Sequence, residues 1–377
     1  MLKVGITGQS GFVGTHLYNT LSLLSVKYER IPFDDIFFND QEKLAQFVSS
    51  CDVVVHLAAM NRHNDPEVLY NTNISLVKKL IEACDSSDAT PHILFSSSTQ
   101  EERDNLYGRS KREGRELFEN WARRSGARFT GLVIPNVFGP FGNPYYNSVV
   151  ATFCYQLTHN ETPKIEIDGE LKLIYVAELV EYFLRKIEET NLNTVDSIER
   201  CEVPYTSTIK VSELLEKLSC FQKRYFENGM LPNLNNVLDR NLFNTLLTYI
   251  DHKSFFPYHL KLNTDERGSF VETVKLNSGG QVSFSTTKPG ITRGNHFHTR
   301  KAERFAVIKG KAVIEFRRIG TTEKFTFELD GNNPSFVDMP VWFTHNITNV
   351  GTEEVYTIFW ISEHFNPADQ DTFFEQV

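Results

Sequence analysis

Cysteine is scarce in this sequence and never clustered. The five cysteines, Cys51, Cys84, Cys154, Cys201 and Cys220, include no Cys-x-x-Cys pair. No disulfide framework is expected, and the thiols read as reduced, mostly buried groups of a cytoplasmic protein. Long apolar runs are also missing. Nothing approaches the ~20 residues needed to span a bilayer, and no charged n-region with a cleavage site precedes the first strand, so neither insertion nor a signal peptide is expected. Basic clusters are absent too: no Lys/Arg run exceeds two or three residues and the formal net charge is -9. That balance argues against nucleic acid or an anionic membrane as the main partner. What is present is ordinary globular composition, 40% apolar and 23% charged, in 377 residues. That is too long for one ordinary core, and two domains are expected, 1–250 and 255–377, parted at Phe255-Phe256-Pro257-Tyr258.

The first domain alternates strand and helix patterns. Leu2 to Thr7, Asp52 to Leu57, His92 to Ser97 and Phe129 to Pro135 read as short buried strands without polar alternation. Gly14 to Leu24, Asn73 to Cys84 and Tyr107 to Ser125 have helical spacing. The repetition predicts an α/β Rossmann-type doubly wound parallel sheet. Gly8, Gly11 and Gly14 fall between the first strand and the first helix, where a dinucleotide pyrophosphate would lie. A Gly-rich turn without a ligand has the same letters; its place straight after an N-terminal strand favours the cofactor. Tyr107 and Lys111 are four apart on one helix face. A lysine ammonium there is expected to lower the phenol pKa and make the tyrosine a proton carrier near neutral pH. Ser98, at the end of a buried strand, can reach the same carbonyl.

These residues, with His56-Leu57-Ala58-Ala59, Asn73, Tyr107-Gly108-Arg109-Ser110-Lys111 and Pro135-Asn136, resemble an extended short-chain dehydrogenase/reductase of the nucleotide-sugar type over 1 to about 245. The resemblance implies that Ser98 orients a sugar carbonyl, Tyr107 donates the proton and Lys111 binds the nicotinamide ribose. It further implies that Gly8, Gly11, Phe12, Gly14, His56, Ala58 and Ala59 line the cofactor pocket, with Asn136 beside the sugar nucleotide. Val133 stands where related enzymes often carry arginine. Beyond the second strand, Arg30 suits an NADP ribose phosphate only if it reaches that far, whereas Asp34 suits a free ribose. NADPH and NADH both remain open from these residues.

The last third changes character. Short alternating stretches, among them Ser269 to Val274, Gln281 to Thr286, Phe305 to Ile308, Ala312 to Arg317, Lys324 to Leu329 and Val355 to Ile361, are separated by Gly/Asn/Asp turns. An antiparallel barrel or jelly roll is expected. His296 and His298 share one face of a strand; with Glu303 and His345 they form a donor set that suits a divalent transition metal such as zinc or iron. Hydrogen-bonded histidines in a polar barrel are the plainer alternative. The run His-x-His-x4-Glu-x6-Gly, ending at Gly310, is similar to the first cupin motif, and Pro340 to Asn349 to the second. Trp342 replaces the usual glycine, which predicts a pocket narrowed on that side. Asp265-Glu266-Arg267-Gly268-Ser269-Phe270 and Arg293-Gly294-Asn295-His296 resemble sugar-nucleotide 3,5-epimerases, in which this histidine is a base and not a ligand.

Together the pieces resemble the CapF family of capsular polysaccharide enzymes, with the stretch Asn147 to Cys154 as a specific shared feature. The family implies a UDP-linked 4-keto-6-deoxy sugar as substrate, and a homodimer or homotetramer is expected. Its cupin epimerises C3, and its reductase domain then reduces C4 with NADPH. The enolate is expected to be stabilised by the cupin metal or by a cation beside it, such as Lys288 or Arg293. Two other readings stay open: a cupin that serves only as a metal-stabilised dimerisation scaffold, and a nucleotide-sugar binding protein without turnover.

Overall fold

The computed structural model describes residues 1–191, 197–261, 263–265, 268–270, 273–276, 280–363 and 366–377. Glu266 and Arg267, and part of the strand expected over Ser269 to Val274, lie outside the described residues. The chain divides into two compact units. One comprises Met1–Phe138, Gly142–Val149 and Glu170–Ile209; the other comprises Gly139–Phe141, Val150–Gly169 and Lys210–Val377.

The first unit is built on Leu2–Thr7 (β1), Tyr28–Ile31 (β2), Val53–His56 (β3), His92–Ser98 (β4), Phe129–Ile134 (β5), Asn136–Phe138 (β6), Glu170–Tyr175 (β7), Ile198–Glu202 (β8) and Ser207–Lys210 (β9). A six-stranded sheet runs β2-β1-β3-β4-β5-β8, all neighbours parallel; β6-β7-β9 form a second, small sheet. The helices are Phe12–Leu23 (α1), Gln41–Ser49 (α2), Pro66–Ser86 (α3), Leu106–Ser125 (α4) and Val176–Glu188 (α6); Val149–Thr158 (α5) belongs, but for Val149, to the second unit. Apolar residues on both faces of the strands explain why helices cover both sides. Leu44, Phe47, Val77, Leu80, Phe118 and Trp121 of α2, α3 and α4 pack on one face. Leu17, Leu21, Leu179 and Phe183 of α1 and α6 pack on the other. The order reverses between β1 and β3, and such a switch point opens a crevice at the carboxyl ends of the strands.

The second unit contains Val211–Asn228 (α7), Val237–Leu247 (α8) and His252–Phe255 (α9). Its short strands are Met230–Leu231 (β10), Tyr258–His259 (β11), Asn263–Asp265 (β12), Gly268–Phe270 (β13) and Lys275–Leu276 (β14). The longer ones are Gln281–Thr287 (β15), Thr292–Phe297 (β16), Glu303–Lys309 (β17), Lys311–Arg318 (β18), Lys324–Asp330 (β19), Ser335–Met339 (β20), Phe343–Asn349 (β21) and Val355–Ile361 (β22), and the chain closes with Phe373–Phe374 (β23). Two antiparallel five-stranded sheets, β11-β20-β17-β22-β15 and β19-β18-β21-β16-β23, give the expected all-β cupin-type domain. Their core is Ala306, Val307, Ile314, Phe316, Phe336, Val337 and Phe343. The α7 end is tied to this unit by Arg304, whose guanidinium donates to the Gly229 carbonyl at 2.7 Å while it forks onto the buried Asp338 carboxylate at 2.8 and 2.9 Å.

Candidate functional site

In the first unit a cleft of about 1010 Å³ opens at the switch point. Its floor is the turn from β1 into α1. Gly14 packs so closely that a Cβ would stand 2.2 Å from the Gly8 carbonyl oxygen, so only glycine lets α1 begin there. Gly8, Gly11, Phe12 and Gly14 all line the cleft, as do Ala58 and Ala59. Residues of the first turn of α1, none of them acidic, line this space, an arrangement suited to phosphate. His56 is placed differently from the rest of the expected set. It is 1% exposed and stands behind the wall, with Nδ1 2.7 Å from the Thr7 hydroxyl and its ring stacked on Phe95. Burial, and secondarily the Lys111 charge, push its pKa down to about 3, so it is a neutral packing residue.

Ser98, Tyr107 and Lys111 meet on the cleft. Ser98 ends β4 and caps a short 3-10 turn over Thr99–Glu102, accepting from the Gln100 amide at 3.2 Å. That turn is anchored by buried Glu101, which accepts from the Ser97 hydroxyl at 2.7 Å and from Arg115 and Arg200. The start of α4 is capped by Asn105, which accepts from the Gly108 amide at 2.8 Å. Lys111 donates to the Ser96 carbonyl at 2.9 Å and lies 5.8 Å from the centre of the Tyr107 ring. The expected lowering of the phenol pKa is not found. Burial raises Tyr107 to about 12, with Tyr146 adding to the rise and a Ser98 hydrogen bond opposing it. Lys111 is itself buried and depressed to about 8. Tyr107 therefore holds its proton at neutral pH, the state a donor needs.

Two residues without a local sequence signal complete this site. The Tyr107 hydroxyl donates to Asn61 Oδ1 at 3.1 Å, and the Asn61 amide donates to the Tyr146 hydroxyl at 3.0 Å. The loop carrying Asn61 is latched by Asn73, which is 5% exposed. Asn73 accepts from the Met60 amide at 2.7 Å and donates to the Met60 carbonyl and the Ser110 hydroxyl at 3.0 and 3.1 Å. Asn136 lines the cleft together with Asn143, Tyr146, Asn147 and Ser148.

In the second unit His296, His298, Glu303 and His345 present donor atoms that all lie within 4.8 Å of one another. A bulge in β16 makes this possible. Gly294 sits at φ +103 with room for no Cβ, which would fall 2.8 Å from the His345 carbonyl oxygen, and the register against β21 shifts there. His298 Nε2 and His345 Nε2 stand 3.4 and 2.9 Å from Glu303 Oε2. These buried atoms have ion-pair distances but no well-formed hydrogen bond. Imidazoles and a carboxylate converging in this way fit a divalent cation of the zinc or iron type. The Asp371 carbonyl accepts from His298 Nδ1, which leaves Nε2 as the free donor to an ion. Burial alone would raise the Glu303 pKa, yet His298 and His345 hold it well below the ordinary carboxylate range. His296, half-buried, is lowered to about 4 by burial and by His345, and is neutral.

His296, Glu303 and His345 open onto a small cavity of about 190 Å³ that Arg293 and Asn346 also line. Lys288, expected beside the metal set, is exposed and does not line this cavity; Arg293 does. Nor does Trp342 narrow it. Trp342 has φ +63, the conformation that makes glycine usual there, and its ring stacks on Phe297 at 5.5 Å, off the cavity wall.

The cleft, with its Gly-rich turn and its Ser-Tyr-Lys set, is that of an extended short-chain dehydrogenase/reductase. The NAD dependent epimerase/dehydratase family matches residues 4–196, and the Polysaccharide biosynthesis C-terminal domain matches 263–373. The chain is 34% identical over 376 residues to a Pseudomonas aeruginosa UDP-2-acetamido-2,6-beta-L-arabino-hexul-4-ose reductase, covering 99% of this chain and 98% of that protein. The crystal structure of the capsular polysaccharide assembling protein CapF from Staphylococcus aureus is similar over 100% of both chains, with 35% identity and a TM-score of 0.62. Part of the chain, 30%, is 25% identical to the spore coat polysaccharide biosynthesis protein SpsL of Bacillus subtilis, over 81% of that protein. This chain belongs to the CapF family, in which an epimerase/dehydratase-type domain is joined to a polysaccharide-biosynthesis C-terminal domain.

Proposed function

We propose that this chain is a bifunctional nucleotide-sugar enzyme of surface-polysaccharide synthesis. Its cupin part epimerises C3 of a UDP-4-keto-6-deoxy-N-acetylhexosamine, and its Rossmann part reduces C4 with NAD(P)H. The product is a UDP-N-acetyl-6-deoxy-L-talosamine on the route to UDP-N-acetyl-L-fucosamine. The observation that carries the reading is the meeting of Ser98, Tyr107 and Lys111 on the cleft, in a chain alignable end to end with a 4-ulose reductase.

A reduced nicotinamide supplies hydride to C4 when bound. The Tyr107 proton goes to the C4 oxygen, which Ser98 holds by hydrogen bond. The nearby Lys111 favours the phenolate left behind, which regains its proton from solvent. One hydride and one proton are consumed per ketone. The 4-ketone also acidifies the C3 hydrogen. A divalent ion held by His298, Glu303 and His345 would supply positive charge for the resulting enolate. His296, neutral and on the cavity wall with Arg293, either completes the ligand set or takes the C3 proton. The deep burial of His298, Glu303 and His345 favours one alternative, a metal that only holds the β-sheets together.

The test incubates the full-length protein with a UDP-4-keto-6-deoxy-N-acetylhexosamine in deuterated water, with and without reduced nicotinamide. Deuterium should enter C3 without cofactor, and cofactor oxidation should follow ketone reduction. Tyr107→Phe should lower reduction by about 10²–10⁴-fold and leave C3 exchange intact. His296→Asn that retains metal but loses exchange makes His296 the base; loss of metal makes it a ligand. Reduction at full rate with no C3 exchange would leave the cupin as a scaffold.

A further inference from the structure

We infer that this reductase cleft is built for NADH in preference to NADPH, with Asp35 as the discriminating residue; the inference rests on the reductase reading above. A phosphate ester on the adenosine ribose adds about -1.5 to -2 charge at neutral pH. A site that takes it offers a cation or hydrogen-bond donors just beyond the second strand of the Rossmann unit, whereas a carboxylate there accepts from the free ribose hydroxyl.

The segment beyond β2 reads Pro32-Phe33-Asp34-Asp35 and offers no cation. Pro32 has no donor at all. Phe33 is buried in the core against Phe37, Phe38 and Phe47. Asp34 caps the 3-10 turn that follows, accepting from the Ile36 amide at 3.0 Å. Asp35 is left as the charged residue of this segment that lines the cleft. Its position is set by Gln9, whose side chain donates to the Phe33 carbonyl at 2.6 Å and ties the segment to the Gly-rich turn. The base on β2, Arg30, is committed elsewhere. Its guanidinium lies 4.2 Å over the Tyr18 ring and donates to the Tyr18 carbonyl at 3.3 Å. Among the described residues the cations on the cleft lining are Lys79 and Lys111. Lys111 belongs with Tyr107, which leaves Lys79 of α3 as the cation that could answer a phosphate.

The experiment titrates the full-length protein with NADH and, separately, NADPH, reading nucleotide fluorescence at fixed ionic strength. NADH should bind about tenfold tighter or more, from like-charge repulsion between Asp35 and the phosphate. Asp35→Ser should bring the two affinities close together, and Asp35→Arg should reverse the order. NADPH binding as tightly as NADH to the unaltered protein overturns the inference. If Lys79→Ala then weakens NADPH alone, recognition of the phosphate belongs to Lys79. Failure of both dinucleotides to bind removes the reductase reading itself, an outcome distinct from a reversed preference.

Discussion

Two buried histidines in the first unit should make it acid-labile. His56 is fully enclosed against Thr7 and Phe95, and His92 hydrogen-bonds Thr190 and Thr130 at 2.8 and 2.9 Å. Burial lowers both to about 3, with Lys111 adding to the effect at His56 and Arg128 at His92. In the unfolded chain each protonates near its ordinary value of about 6.5. Below that pH the unfolded state binds protons the folded state refuses, so stability falls as pH falls, and it goes on falling toward pH 3. The slope is about 1.4 kcal/mol per pH unit per histidine. From pH 7.5 to 5 each histidine therefore costs about 2 kcal/mol and the pair about 4, against a usual domain stability of about 5–15 kcal/mol. Glu101, Glu188 and Glu199 are all lowered, so their contributions are lost only below about pH 4.5 and do not blur the window. The assay is urea unfolding between about pH 7.5 and 5, followed by Trp121 in a protein carrying Trp342→Phe and Trp360→Phe. His92→Asn should remove about half of the pH dependence. A midpoint that does not move between pH 7.5 and 5 would refute the reasoning.

Asn73→Ala should destabilise the first unit by about 2–4 kcal/mol, because the Met60 amide and carbonyl and the Ser110 hydroxyl all lose their buried partner. It should also slow ketone reduction by loosening Asn61 under the Tyr107 hydroxyl. A change below about 0.5 kcal/mol in chemical denaturation would sink the latch. Gently purified protein should contain about one divalent ion per chain, and chelation should lower the melting temperature, since the orphaned atoms of His298, Glu303 and His345 lose their common partner. Elemental analysis that finds no metal, with an unchanged melt after chelation, counts against the site. Trp342→Gly sets relief of about 1–2 kcal/mol of left-handed strain against about 3–5 kcal/mol of buried aromatic packing. Net destabilisation of about 1–4 kcal/mol is expected, and a variant as stable as the parent would show that the Phe297 stack contributes little.

What the sequence disclosed follows the reach of local rules. The turn at Gly8, Gly11 and Gly14 and the pairing of Tyr107 with Lys111 are short-range patterns, set by one turn and one helix face. His296, His298, Glu303 and His345 were legible as a set because their residue types have few other uses in such a spacing. Asn61 and Tyr146 were not, since a loop asparagine and a loop tyrosine carry no periodicity and meet only through the fold. The phenol pKa was misjudged because spacing reports that Lys111 is near, not that both groups are buried and that the ammonium is already held by Ser96. Lys288 looked equivalent to Arg293 because both precede His296, yet the bend at Gly290, with φ +74, separates them. Helical spacing over α7 and α8 marks a buried face without saying which core it serves, and both helices pack within the unit that holds the β-sheets.

Burial acts in opposite senses at the two sites, and the difference says what each can do. Around the cleft it suppresses charge: Tyr107 keeps its proton, His56 stays neutral and Lys111 is weakened. A site of that kind stores a proton and hands it over when charge develops on a bound oxygen, because only then does Lys111 gain a partner that offsets its own desolvation. In the β unit Glu303 sits in a buried position, held below its ordinary range by His298 and His345. A buried carboxylate ringed by imidazole nitrogens is costly as it stands and is relieved by a cation that all of them can ligate. Under the proposed function, proton delivery would fall to the first environment and stabilisation of a developing anion to the second. A ketone that must lose a carbon-bound proton before it accepts a hydride needs one of each.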